Sequence, residues 1–165
     1  MLTGYSQIVF DAIMKELEEK EKLLNQYFDI TQSIDGEQLL ENLETIINQR
    51  QEIIVKATEC DHKIVSISRK LFGNESQALI AILRYKVPEN TILPPMLSAI
   101  DKKCKIIYNI LCNIKEADLE LSSKVKFARE SLSVQIEQVK NSKQIFGYSQ
   151  NYQSANLGNV LDKKQ

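Results

Sequence analysis

Helix-breaking residues are confined to a few positions, and their placement is the strongest constraint on what this chain can fold into. The 165 residues include only five glycines and three prolines, and the stretches 37–72 and 96–146 contain neither residue. Strand-rich folds need a turn about every 8–12 residues, usually written with Gly, Pro or Asn-Gly. The spacing therefore disfavours a sandwich, a barrel or a βαβ fold and predicts long α-helices.

Apolar residues recur three and four positions apart along the chain, which is the period of an amphipathic helix. The segment 5–33 carries one such face, interrupted by Lys20, and its run of charged residues over 16–22 is predicted to face solvent. In the second segment the repeat is Leu39, Leu43, Ile46, Arg50, Ile53, Ala57, Cys60, Ile64, Ile67 and Leu71. Such a repeat over more than about four heptads is typical of a coiled-coil seam.

The fourth segment continues the same repeat after a break. A short apolar segment, 76–86, is predicted to cover the end of the bundle, and Pro95 suits the first turn of the next helix. That helix is expected over 96–146, with the seam Leu97, Ile100, Cys104, Ile107, Leu111, Ile114, Asp118, Leu121, Val125, Ala128, Leu132, Gln135, Val139, Ser142 and Phe146.

The predicted fold is all-α: an elongated antiparallel helical bundle or coiled coil of three long helices and one short helix. A single domain is expected over 1–146. From Gly147 the composition shifts to Tyr, Ser, Gln and Asn with no repeat. A segment of this kind buries too little apolar surface to order itself. We therefore predict a flexible C-terminal tail over 147–165.

An antiparallel pairing of segments two and four with flush ends predicts a specific contact. Arg50 and Asp118 are the charged interruptions of the two seams, and this alignment places them opposite each other. A buried ion pair roughly offsets its own desolvation, so we expect the pair to set register and not net stability. The same alignment leaves 133–146 beyond the start of the second helix, with apolar residues exposed for a partner.

No pattern in the chain indicates catalysis, a metal site or a cofactor. Cys60 and His62 are two positions apart on a helix and point to different faces, while Cys104 and Cys112 are too far apart for one ion. Three cysteines are expected as free thiols of a reducing compartment. The 21 basic and 22 acidic residues give no footprint for nucleic acid, and no apolar run is long enough to insert stably in a membrane. A cytoplasmic, non-enzymatic protein is expected.

The chain resembles a bacterial flagellar type III export chaperone of the FlgN type. The resemblance is carried by the order and length of the helices and by two stretches of the tail, Phe146-Gly147-Tyr148-Ser149-Gln150-Asn151-Tyr152 and Gly158-Asn159-Val160-Leu161-Asp162-Lys163-Lys164-Gln165. The Pro94-Pro95 linker and the apolar segment 76–86 depart from that family's pattern.

The resemblance implies a chaperone that binds helical segments of hook-associated (hook–filament junction) proteins, prevents their premature assembly and delivers them to the export gate. The client groove would then lie on the late fourth helix, at Leu132, Ile136, Val139, Ile145 and Phe146. Tyr148 or Tyr152 would dock on the cytosolic domain of the export gate. The protein itself would be a monomer or a weak homodimer.

Three other classes stay open. A homo-oligomeric coiled-coil structural or adaptor protein would use the same seams between copies, and light scattering separates it from a monomeric chaperone. A chaperone of the related filament-cap class would differ in its client. A helical nucleic-acid-binding domain is the weakest alternative, because the charges are interspersed along the chain.

Overall fold

The all-α class predicted from the sequence is confirmed. A computed structural model describes the backbone of residues 4–34, 39–70, 74–88 and 91–161, and the side chains of 7–34, 41–70, 76–88 and 91–143. Four helices and no strand occur in those ranges. They are α1 (Gly4–Gln32), α2 (Leu39–Ser68), α3 (Asn74–Leu83) and α4 (Pro95–Leu161).

The chain divides into two compact units, Met1–Ser122 and Ser123–Gln165. The division into one domain over 1–146 and a tail over 147–165 stays a prediction. The first unit is a helical bundle with a single apolar core to which all four helices contribute. The most completely buried side chains of that core are Ile13, Leu79, Ile82, Ile100 and Ile107. These residues occupy the predicted seams and the short segment 76–86.

Ion pairs between helices fix the directions of the bundle in the first unit. Lys20 lies 2.6 Å from Asp61, and Glu16 lies 3.4 Å from Lys63. The lower residue number on α1 is thus paired with the higher residue number on α2. The two helices are therefore antiparallel.

The charged run of α1 does not lie wholly in solvent, which corrects one sequence-based prediction. Glu16 and Lys20 reach α2, and Glu21 accepts a hydrogen bond of 2.7 Å from Lys103 of α4. These side chains are half-buried because their aliphatic parts lie along the core while their charged ends meet opposite charges at its edge. The polar interruption at Lys20 thus becomes an interhelical contact.

The ends of α3 and α4 follow from their sequences. Pro95 is the first residue of α4, as predicted, and the Ser98 amide donates a 2.8 Å hydrogen bond to the Pro94 carbonyl. A proline costs nothing at this position because its missing N–H would have no helical acceptor. At the end of α3, Lys86 N–H bonds to the Ala81 carbonyl and Tyr85 N–H to the Ile82 carbonyl, both at 2.9 Å. This is the Schellman arrangement.

The fourth helix extends further than the sequence predicted. It continues through Gly147 to Leu161 and does not end at Phe146. Gly147 and Gly158 each cost a helix only about 1 kcal/mol relative to alanine, and no proline lies between Phe146 and Leu161 to stop it. The side chains of 144–165 and the backbone of 162–165 lie outside the described residues, and the flexibility of 147–165 stays a prediction.

Candidate interaction surfaces

Arg50 and Asp118 form the interhelical ion pair that the flush-end alignment predicted. Arg50 Nη2 donates a hydrogen bond to Asp118 Oδ1 and another to the hydroxyl oxygen of Tyr27 on α1. Tyr27 in turn donates to Asp118 Oδ2 at 3.3 Å, and the guanidinium carbon lies 4.4 Å from the centroid of its ring. The cluster joins α1, α2 and α4. The sequence did not predict that Tyr27 would be its third residue.

The cluster of Tyr27, Arg50 and Asp118 lies at the edge of the core and is only partly satisfied by hydrogen bonds. Burial raises the pKa of Tyr27, against the opposing effect of Arg50, so the phenol stays neutral near pH 7. The buried Nε of Arg50 has no hydrogen-bond partner among the described residues. Because a partly satisfied polar network contributes little net stability, register is the role that remains for the pair, and it stays a prediction.

The seam of α4 changes character between the two units. Within the first unit Leu97, Ile100, Cys104, Ile107, Ile114 and Leu121 are buried. Within the second unit Leu132 and Val139 of the same repeat are exposed, and so is the neighbouring Ile136. Helical positions 132, 136 and 139 share one face because they are four and three residues apart. We name Leu132, Ile136 and Val139 the seam stripe.

A second apolar stripe on the same helix was predicted only in part, since Val134 lies in the segment 133–146 that the flush-end alignment leaves uncovered. Phe127 and Val134 are seven residues apart, and Phe127 is 75% exposed. At about 100° per residue they lie roughly 120–180° around the helix from the seam stripe. Phe127 was not predicted, because it precedes that segment and lies outside the 3-4 repeat of the seam.

The exposed part of α4 is also basic. Residues 123–143 contain five basic and two acidic side chains, a net charge of +3 in a protein whose formal net charge is −1. Apolar stripes flanked by cations favour a partner with apolar anchors and carboxylates.

The other residues predicted to bind partners lie outside the described side chains. These are Ile145 and Phe146 of the client groove and Tyr148 and Tyr152 of the docking tail. Their backbone belongs to α4. Their predicted roles remain predictions.

The first unit carries a groove that no motif announced. A cavity of about 460 Å³ lies between α2, α3 and α4, above α1. Its exposed apolar residues are Val65, Ile80, Tyr85 and Leu111. Leu111 was predicted as a seam residue, but its side chain is 36% exposed at this groove. The lining also includes the Lys20–Asp61 pair, Arg69 and Arg84.

Tyr85 has an unusual backbone at the edge of this groove. Its φ of 54° is in the left-handed region, which glycine favours and bulky residues rarely occupy. Its ring centroid lies 5.2 Å from that of Tyr108, at an interplanar angle of 48°. Burial raises the pKa of Tyr85 to about 12. A residue held in a costly conformation is a candidate for function.

The cysteines and the single histidine form no site. Cys60, Cys104 and Cys112 are free thiols, as predicted, with Cys60 and Cys104 buried and Cys112 exposed. His62 is exposed on α2. Over the ranges that the structure describes, no three His, Cys, Asp or Glu side chains are grouped as metal ligands. No helix in those ranges has the length and apolarity needed to cross a membrane.

No protein-family model, curated protein or solved structure matches this chain.

Proposed function

We propose that this protein is a flagellar export chaperone that binds helical segments of hook-associated proteins through the exposed part of α4. The observation that carries the proposal is the exposure of the seam stripe, with Ile136 48% and Val139 54% exposed. Apolar side chains at helical spacing that have lost their core partner are suited to complete a bundle with a partner helix.

The shape of the surface supports a helical client. The seam stripe and the stripe of Phe127 and Val134 lie on different sides of one helix, so two client helices, or two segments of one client, could pack against it. The net charge of +3 over 123–143 favours clients with acidic residues beside their apolar anchors. Binding would cover these apolar surfaces on both proteins and so prevent premature assembly.

Delivery to the export gate is assigned to the tail on the resemblance alone. Tyr148 and Tyr152 are the candidate docking residues, since tyrosine is a frequent interface anchor. Deleting 147–165 should leave thermal stability nearly unchanged while it abolishes delivery. Loss of folding on this truncation would show that the tail is structural.

The test has two steps. The chain is co-expressed with a tagged hook–filament junction protein, and the complex is isolated by affinity chromatography. The two proteins are then purified separately, and calorimetry measures their affinity. Val139→Asp should weaken binding at least tenfold, because it places a carboxylate in an apolar contact. Val55→Asp is the matched control, since Val55 is a 49% exposed valine on α2. Equal affinity of the two variants would contradict the seam stripe as the client site.

The continued heptad repeat favours one competing function, a homo-oligomeric coiled-coil adaptor. In that case the seam stripe would pair between copies of this chain. Sedimentation equilibrium of the wild-type protein and of Val139→Asp separates the two functions. If the wild type is a stable oligomer that dissociates in the variant, and the wild type binds no client, the adaptor function is supported and the chaperone function is contradicted.

A further inference from the structure

The groove of the first unit, defined by Val65, Ile80, Tyr85 and Leu111, is open although its walls are apolar. These four side chains come from α2, α3, the turn after α3, and α4. Each of the four side chains is more than a third exposed, whereas Ile64, Cys104 and Ile107 beside them in the lining are buried. The groove belongs to the first unit and does not depend on the function proposed for the second.

Cationic side chains flank this apolar floor. Lys20 at one side is paired with Asp61 at 2.6 Å. Arg69 and Arg84 are exposed and make no ion pair with any side chain that the structure describes. Among the described residues the lining therefore has an excess of two positive charges.

Tyr85 lines the edge of the groove in a left-handed backbone conformation that glycine favours. A left-handed conformation costs a non-glycine residue about 1–2 kcal/mol. The tyrosine at this position places an aromatic ring against Tyr108 and at the edge of the groove. Tyrosine and arginine are also the residues that most often carry binding energy at protein interfaces.

We propose that this groove binds an amphipathic helical segment of a partner protein that carries carboxylates beside its apolar anchors. Val65, Ile80 and Leu111 receive the apolar anchors of that segment, Tyr85 packs on its centre, and Arg69 and Arg84 pair with its acidic side chains. Charge complementarity selects an acidic partner segment over a basic one.

The experiment follows methyl resonances of the full-length protein while a synthetic probe peptide is added. The probe is a helical peptide with Leu at i, i+3, i+4 and i+7 and Glu on its flanks, and its counterpart has Lys in place of each Glu. The Glu peptide should shift the methyl signals of Val65, Ile80 and Leu111 in a saturable way. The Lys peptide should need at least tenfold higher concentration.

Variants assign the effect to named groups. The double variant Arg69→Glu with Arg84→Glu should lower the affinity for the Glu peptide at least tenfold, as measured from the methyl signals of the groove. The control is Arg129→Glu, which changes an exposed arginine of the second unit and should leave that affinity unchanged. Tyr85→Gly suits the left-handed turn, so this variant should fold as well as the wild type and still lose affinity. Shifts confined to Val134 and Val139 would overturn the proposal.

Two more outcomes count against it. Equal response to the Glu and Lys peptides would mean that the groove binds apolar surface without charge selection. Methyl shifts that grow with protein concentration in the absence of peptide would show that a second copy of this chain fills the groove. Neither outcome bears on client binding by the seam stripe.

Discussion

The two parts of α4 share one sequence pattern and differ in environment. Up to Ser122 most apolar members of the 3-4 repeat lie in the core of the first unit, and Ile107 is 1% exposed. Beyond Ser123 the repeat continues, with Gln135 and Ser142 as polar members, yet Val139 is 54% exposed and the neighbouring Ile136 is 48% exposed. Periodicity states which side chains share a face, but burial requires a second surface against that face. The difference leaves the second part with an uncovered apolar face, and the proposed function assigns that face to a partner.

The sharpest way to break this comparison is to delete the same atoms in both parts. Ile107→Ala should lower the free energy of unfolding by about 2–5 kcal/mol, because it leaves a cavity in a packed core. Ile136→Ala should change it by less than about 0.5 kcal/mol, as is usual for exposed positions. Urea unfolding measures both values. Similar losses in the two variants would mean that the repeat beyond Ser123 is packed in the isolated chain.

The polar cluster gives the next largest effect and tests whether the first part of α4 has a fixed register. Arg50→Leu leaves Asp118 and the Tyr27 hydroxyl without their cation, which should cost about 1–3 kcal/mol. Adding Asp118→Leu should recover part of this loss, because two apolar side chains replace the pair. Additive losses in the double variant would contradict the coupling.

Lys56→Leu is the matched control for the ion-pair experiment. It removes the 2.7 Å pair with Glu52 on the exposed face of α2. Solvent screens such a pair, so the urea midpoint should not move within experimental error. A loss as large as that of Arg50→Leu would show that removal of any cation, and not the cluster, causes the effect.

The smallest expected effect is the pH dependence of the first unit. Burial raises the pKa of Cys104 to about 11 from 9.0 and that of Tyr85 to about 12 from 10.0. Both groups favour their neutral form in the folded state. Their contribution to stability is therefore complete below about pH 9 and is lost as the pH rises to about 12.

The urea midpoint should fall across that range, and less in Tyr85→Phe between pH 10 and 12. The change is modest because Tyr85 is partly exposed and solvent screens its interactions. If the urea midpoint of Tyr85→Phe falls with pH as steeply as that of the wild type, Tyr85 does not contribute to the pH dependence of stability.

Several features of the fold followed from the sequence because they depend on local spacing. The breaker-free stretches predicted long helices, Pro95 marked the start of α4, and the interrupted seams predicted the contact of Arg50 with Asp118. Each of these is a consequence of helical period or of a backbone restriction. The candidate site was predicted only in part, since the seam stripe was found but Phe127 and the groove of the first unit were not.

The sequence by itself determined that the chain is helical, which face of each helix is apolar and which charged residues interrupt the seams. Only the tertiary structure decided which apolar faces are covered. It left Leu111 at an open groove, drew Tyr27 into the pair of Arg50 and Asp118, and held Tyr85 in a left-handed turn. Period is a property of neighbouring residues, whereas burial and strain depend on residues that are distant in the chain.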